Sequence, residues 1–235
     1  MAVAAARDGR LTALASPAPG VSLWALDLRP RPEDRAVALP DAADRERLAA
    51  LPAAAAAALL ARRALLRRTL ARVAGCVPEA LVVGTGAGPR WVRAPGGPRW
   101  YVSSSSSGPR GLLAVSVLPV GADLERRPGP PDALQVSREL LPTQEHRWVL
   151  GDGHGVADRF LAVWTRKESV VKCTGRGLAT DLRSFVVDAS APAAPVRAAD
   201  GAALPLRTYG VDVPGHAAAV AVAVAVAAAV EVTGA

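Results

Sequence analysis

The segment Val156-Ala-Asp-Arg-Phe-Leu-Ala-Val-Trp-Thr-Arg-Lys-Glu-Ser-Val-Val-Lys172 is the clearest helix signal in the chain. Its apolar residues at 156, 160, 163, 164, 170 and 171 form a stripe at helical spacing, and Gly175 and Gly177 stop it. Glu168 and Lys172 stand one turn apart on a shared face. Upstream, Val120-Gly-Ala-Asp-Leu-Glu125 alternates like a strand. Asp123 and Glu125, two positions apart, therefore point to one side of it.

Working outward, strands are expected at Val21 to Leu28, Leu112 to Val117, Ser184 to Val187, Leu206 to Val211 and Ala217 to Val230. Shorter strand signals lie between Glu79 and Gly97. A proline- and charge-rich loop spans Arg29 to Pro40, and a turn is expected over Gly151 to Gly155. Asp41 to Ala74 reads as two helices broken at Pro52. Leu134 to Leu150 reads as helical around its prolines. Ser103 to Ser107, five serines in a row, lies open between a functional segment and a flexible low-complexity loop. Strands, a long helix and more strands recur in both halves. The expectation is an α+β, pseudo-duplicated two-lobe fold, with lobes at 1–118 and 119–235.

Composition narrows the function classes. Hydrophobic residues make up 51% of the 235 positions, which excludes a disordered chain. Aromatic residues are only 4%, and alanine supplies much of the apolar content. The longest apolar run, Ala217 to Val230, is short of the roughly 18 residues that span a bilayer. The N-terminal stretch MAVAAARDGR lacks the long apolar core of a signal peptide. Two cysteines, Cys76 and Cys173, form no metal-binding spacing, so a reducing, cytoplasmic setting is the default. The net charge of +7 suits an acidic partner, although an arginine-rich genome would produce it too.

Two carboxylates as close as Asp123 and Glu125 repel each other unless a cation lies between them. If the strand and the 156–172 helix meet, Glu168 and Lys172 join them. Oxygen-only ligation by a few carboxylates is what Mg²⁺ prefers, with phosphate oxygens and water completing its shell. The same residues read structurally as a solvated strand face and an exposed i, i+4 salt bridge.

The two motifs together, Val120 to Glu125 and Trp164-Thr-Arg-Lys-Glu-Ser-Val-Val-Lys172, resemble the paired signature of the 4′-phosphopantetheinyl transferases. That signature is a G-x-D-x-E strand followed by W-[ST]-x-K-E-[SA]-x-x-K. Asp123 and Glu168 are 45 positions apart, as the family would place them. Gly175 to Leu178 resembles its G-[KR]-G-L, Leu141 to Glu145 its F-[ST]-x-x-E, and Ser105 to Gly108 its S-H-S-G loop. The resemblance runs from about Gly88 to Ala219, and the length is similar to the Sfp-type branch, a pseudo-dimer in one chain.

The resemblance implies transfer of the phosphopantetheine arm of coenzyme A to a serine of an acyl or peptidyl carrier protein, of fatty-acid, polyketide or nonribosomal-peptide type. It implies Mg²⁺, with Mn²⁺ as an alternative, on Asp123, Glu125 and Glu168. Glu168 would accept the hydroxyl proton, and Lys172 would offset phosphate charge. Ser105, Ser106, Lys167, Lys172 and Arg63 would contact coenzyme A, Lys167 reading equally as a surface ion pair. Two positions depart from the family. Ser106 stands where histidine is usual and brings no charge. Ala58 stands where a basic residue is usual, with Arg62 or Arg63 one turn on. These departures define the alternative, a homologue that binds coenzyme A or a carrier without efficient transfer. The expected protein is a monomer that binds neither membrane nor nucleic acid. The arginines at 62, 63, 67, 68 and 72 give a helix a basic face, yet no nucleic-acid motif accompanies them.

Overall fold

Residues 9–32, 34, 46, 48–84, 88–151, 155–177 and 180–224 are described by a computed structural model. Their strands form two antiparallel sheets. The first contains β1 (Leu11–Ala13), β2 (Val21–Asp27), β3 (Val82–Val83), β4 (Trp91–Arg93), β5 (Trp100–Ser107) and β6 (Arg110–Ser116). Their spatial order is β1-β2-β6-β5-β4-β3. The second contains β7 (Val120–Arg126), β8 (Phe185–Val186), β9 (Ala193–Ala198), β10 (Ala203–Gly210) and β11 (His216–Ala223), in the order β7-β11-β10-β9-β8. Helix α1 (Ala53–Ala74) lies in sequence between β2 and β3. Helices α2 (Ala133–Leu140), α3 (Thr143–Leu150) and α4 (Val156–Thr174) lie between β7 and β8. The α+β class expected from the sequence is the class observed.

Alternation along the strands sorts the side chains into three cores. Trp24, Leu26, Val92, Val102, Leu113 and Val115 meet Leu65, Leu70, Ala71 and Val73 of α1. On the other face, Val21, Leu23, Leu112 and Ala114 pack against Val120, Ala122, Leu124, Ala218, Val220 and Val222 of the second sheet. Small residues let the sheets approach closely, although each methylene-sized group buried contributes only about 0.8 kcal/mol. The third core joins Phe160, Leu161, Val163, Val170 and Val171 of α4 to Val149, Phe185, Val196 and Ala221.

Two glycines set how α4 sits. A Cβ on Gly121 of β7 would fall 1.8 Å from the Ser169 carbonyl oxygen, so strand and helix touch through backbone. Gly175 caps α4 at φ +67°, and a Cβ there would fall 1.9 Å from the Gly88 carbonyl carbon. The helix end is thereby tied to the loop between β3 and β4.

Several expectations change. The serine run is a strand, β5, not a flexible loop: it pairs with β6 through a two-residue turn that opens on Gly108 at φ +60°. The 134–150 segment is two helices, because Leu141 takes an extended conformation before Pro142. Strand β9, Ala-Ala-Pro-Val-Arg-Ala, gives little strand signal. Its Pro195 stands where the pairing with β10 shifts register, a place where a ladder tolerates proline. Most of the first expected helix (41–51) lies outside the described residues. So do parts of the 29–40 loop, residues 85–87, residues 152–154 of the expected turn, Leu178, and the end of the last strand beyond 224. No helix among the described residues is long and apolar enough to cross a membrane.

Candidate active site

Strand β7 presents Val120, Ala122 and Leu124 to the first sheet and Gly121, Asp123 and Glu125 to the opposite side. The close contact at Gly121 sets α4 against that side, which brings Glu168 and Lys172 over the two acids. Asp123 is 2% exposed. Its Oδ1 accepts hydrogen bonds from Lys172 Nζ at 2.6 Å and from Ser105 Oγ at 2.9 Å. Lys172 also donates to Ser105 Oγ at 3.2 Å and to the Ala122 carbonyl at 3.3 Å.

Glu125 and Glu168 share the same field. Burial raises the Glu125 carboxyl above the ordinary range. The charge of Asp123 adds to this and that of Glu168 adds a little more, while Lys172 and Ser107 oppose it. Burial likewise raises Glu168, with Asp123 adding and Lys172 opposing. Three acids and one ammonium thus act on one another between β7 and α4.

The serine strand supports this arrangement. Ser103 Oγ accepts from the Ala122 N–H at 2.9 Å, and Ser107 Oγ from the Arg126 N–H at 3.0 Å. Ser105, between them, donates to Asp123. Alternation separates Ser105 from Ser106. Ser106 stands on the side of β5 from which Val102 packs toward α1. Arg63, half-buried, stands on α1, the helix that packs against that side of the first sheet. The basic face of α1 is partly taken up by the fold: Arg67 Nε donates to the Pro78 carbonyl, and Arg68 pairs with Asp34.

Lys167 requires a correction. It neither contacts the acids nor forms a surface ion pair. It is fully buried, and its ammonium pairs with Glu145 Oε2 at 2.9 Å. It also donates to the carbonyls of Leu182 and Phe185 and lies over the Phe185 ring. Glu145 Oε1 accepts from the Val187 N–H at 2.7 Å. Burial pushes Glu145 above and Lys167 below their ordinary ranges, and their attraction opposes both shifts. Sequence reading missed this pair. Its signal was the glutamate of the 141–145 segment together with a lysine that helical spacing puts off the face of Glu168 and Lys172.

Among the described residues, no group of three or more His, Cys, Asp or Glu side chains is arranged to hold a metal ion. The nearest charge to Asp123 is instead the Lys172 ammonium. The donor set nevertheless fits a hard divalent cation. Asp123 Oδ2 is buried with no hydrogen-bond partner. Burial and the charge of Asp123 make the two glutamates hold their protons more tightly than Lys172 can offset, and among the described residues no His or Cys side chain joins them.

Residues 119–223, which carry both motifs, match the family model of the 4′-phosphopantetheinyl transferase superfamily. The likeness read in the two motifs is thus borne out at the level of the superfamily, over somewhat less than half of the chain. No curated protein gives a significant match to the chain.

Proposed function

We propose that the protein transfers the 4′-phosphopantetheine moiety of coenzyme A to a serine of an acyl or peptidyl carrier protein, releasing 3′,5′-adenosine bisphosphate. The observation that carries this reading is the meeting of Asp123, Glu125, Glu168 and Lys172 between β7 and α4. Asp123, Glu125 and Glu168 would hold Mg²⁺, which supplies neutralisation of the diphosphate. Lys172 offsets charge on the leaving bisphosphate, and Ser105 steadies both Lys172 and Asp123. Glu168, with its proton affinity raised by burial, receives the serine proton.

The two-lobe reading, 1–118 and 119–235 in a monomeric Sfp-type pseudo-dimer, is supported by strand order. Both β2-β6-β5-β4-β3 and β7-β11-β10-β9-β8 run first, last and then backwards to second. In each of these two series the helices fall between the first and second strands in sequence, β2 and β3 in one and β7 and β8 in the other. Both cysteines are free, which supports a reducing, cytoplasmic setting.

Mass spectrometry of an apo carrier incubated with coenzyme A and Mg²⁺ tests the proposal. Wild type should add the phosphopantetheine mass, and Glu168→Ala should not. Ser106 motivates the second reading, a binding homologue, because it carries no charge and stands on the opposite face of β5 from Ser105. Coenzyme A binding without any mass gain on several carriers would establish that reading instead.

A further inference from the structure

Beside the acids, Glu168 lines a cavity of about 310 Å³. Leu140, Trp164, Val171 and Leu182 give it apolar walls, and Arg183 stands at its edge. Leu182 and Arg183 belong to the turn Leu182–Ser184 leading into β8, a stretch with little regular pairing of its own: β8 contributes two residues to the sheet. That turn is gripped from within. Lys167 Nζ holds the carbonyls on both sides of it, at Leu182 and Phe185, and Glu145 Oε1 holds the Val187 N–H just beyond. From outside, Arg183 Nη2 donates to the Arg138 carbonyl of α2 at 2.9 Å. Lys167 and Glu168 are neighbours on α4, so one helix carries both the residue that fixes the wall and the residue that faces the cavity.

We infer that Glu145 and Lys167 are positioning residues that hold the 182–187 segment, and with it the Leu182 and Arg183 wall of the cavity beside Glu168, and so govern how the acceptor chain approaches that carboxylate. This rests on the transferase reading above. A buried pair of this kind adds little net stability compared with apolar side chains of similar size. What it supplies here is direction: four contacts converge on one ammonium, and all but the Glu145 carboxylate come from the wall. On that reading coenzyme A would be held from the side of Lys172 and Ser105, and the acceptor would come from the side of this segment.

Glu145→Gln and Lys167→Met test the inference in the full chain, because removing either partner should release the same wall. Amide exchange of the free protein should speed up at 182–187, Val187 included, while β7 and β11 stay protected. The apparent KM for apo carrier should rise about tenfold while the calorimetric Kd for coenzyme A holds within about twofold, since in this reading the wall lies on the acceptor's side and a small misplacement of it there weighs heavily. Leu182→Ala, which alters the wall without touching the ion pair, should reproduce the KM effect and guards against a variant that merely misfolds. Unchanged exchange at 182–187 in both pair variants overturns the inference. So does an equal weakening of carrier and coenzyme A, or a Leu182→Ala protein with normal carrier KM. If wild type transfers to no carrier, the transferase reading fails by itself. Exchange confined to 182–187 then still supports the wall-holding role, and unchanged exchange still removes it.

Discussion

At Asp123 one carboxylate oxygen carries two hydrogen bonds and the other, buried, carries none. Glu125 and Glu168 stand in the field of that charge with their carboxyls raised. Such groups hold protons more tightly in the fold than in the unfolded chain. Their contribution to stability is therefore complete below the unfolded value and is lost as pH rises through the folded one. Glutamine imitates the protonated form at every pH. Glu125→Gln or Glu168→Gln in metal-free buffer near pH 7 should raise Tm by roughly 1–3 °C, after discounting for solvent screening, and flatten its dependence on pH. Mg²⁺ should narrow or reverse the difference, because only the wild type keeps all three acids. A lower Tm for both variants in metal-free buffer would show that the acids are not in mutual repulsion. These residues were legible in sequence because carboxylates two apart on a strand and a glutamate and lysine one turn apart are local patterns. Lys167 was not legible in the same way. Nothing in its neighbourhood along the chain says that a buried glutamate and two distant carbonyls will close around it.

The pairing of β7 with α4 sets the spacing of the site. Backbone meets backbone at Gly121, where a methyl group would fall 1.8 Å from the Ser169 oxygen and 2.5 Å from the Cys173 nitrogen. Neither atom can swing aside as a side-chain tip would. Gly121→Ala should therefore push α4 outward and cost about 2 kcal/mol or more in urea unfolding, the usual scale of an overpacked core. Transfer should fall far more than stability does, since Lys172 reaches Asp123 only across this contact. A variant with normal stability and activity would mean that the helix stands farther off than described. Helix α4 was legible from its stripe and its glycine stop, and β7 from its alternation. Strands β5 and β9 were not. Serine has little preference for strands, and β5 exists because β6 pairs along its whole length. In β9, alanine and a proline leave the strand to be defined by its neighbours.

Over the whole molecule, the two sheets are joined by side chains that neither could bury alone. Val120, Ala122, Leu124, Ala218, Val220 and Val222 have the first sheet as their cover. The fragment 119–235, although it spans the family match and all the proposed metal ligands, should fail to fold independently. Poor amide dispersion and binding of a hydrophobic dye would confirm this, and a well-dispersed spectrum would show that the second lobe is autonomous. The serine strand adds a polar join beside this apolar one. Strand β7 pairs with β11 on one side only. On its other side, the hydroxyls of Ser103 and Ser107 occupy the N–H groups of Ala122 and Arg126. An open border of this kind is where separate molecules stack strand upon strand into insoluble fibres. By covering that border with hydroxyls from its own neighbour, the protein denies other copies a template beside Asp123 and Glu125.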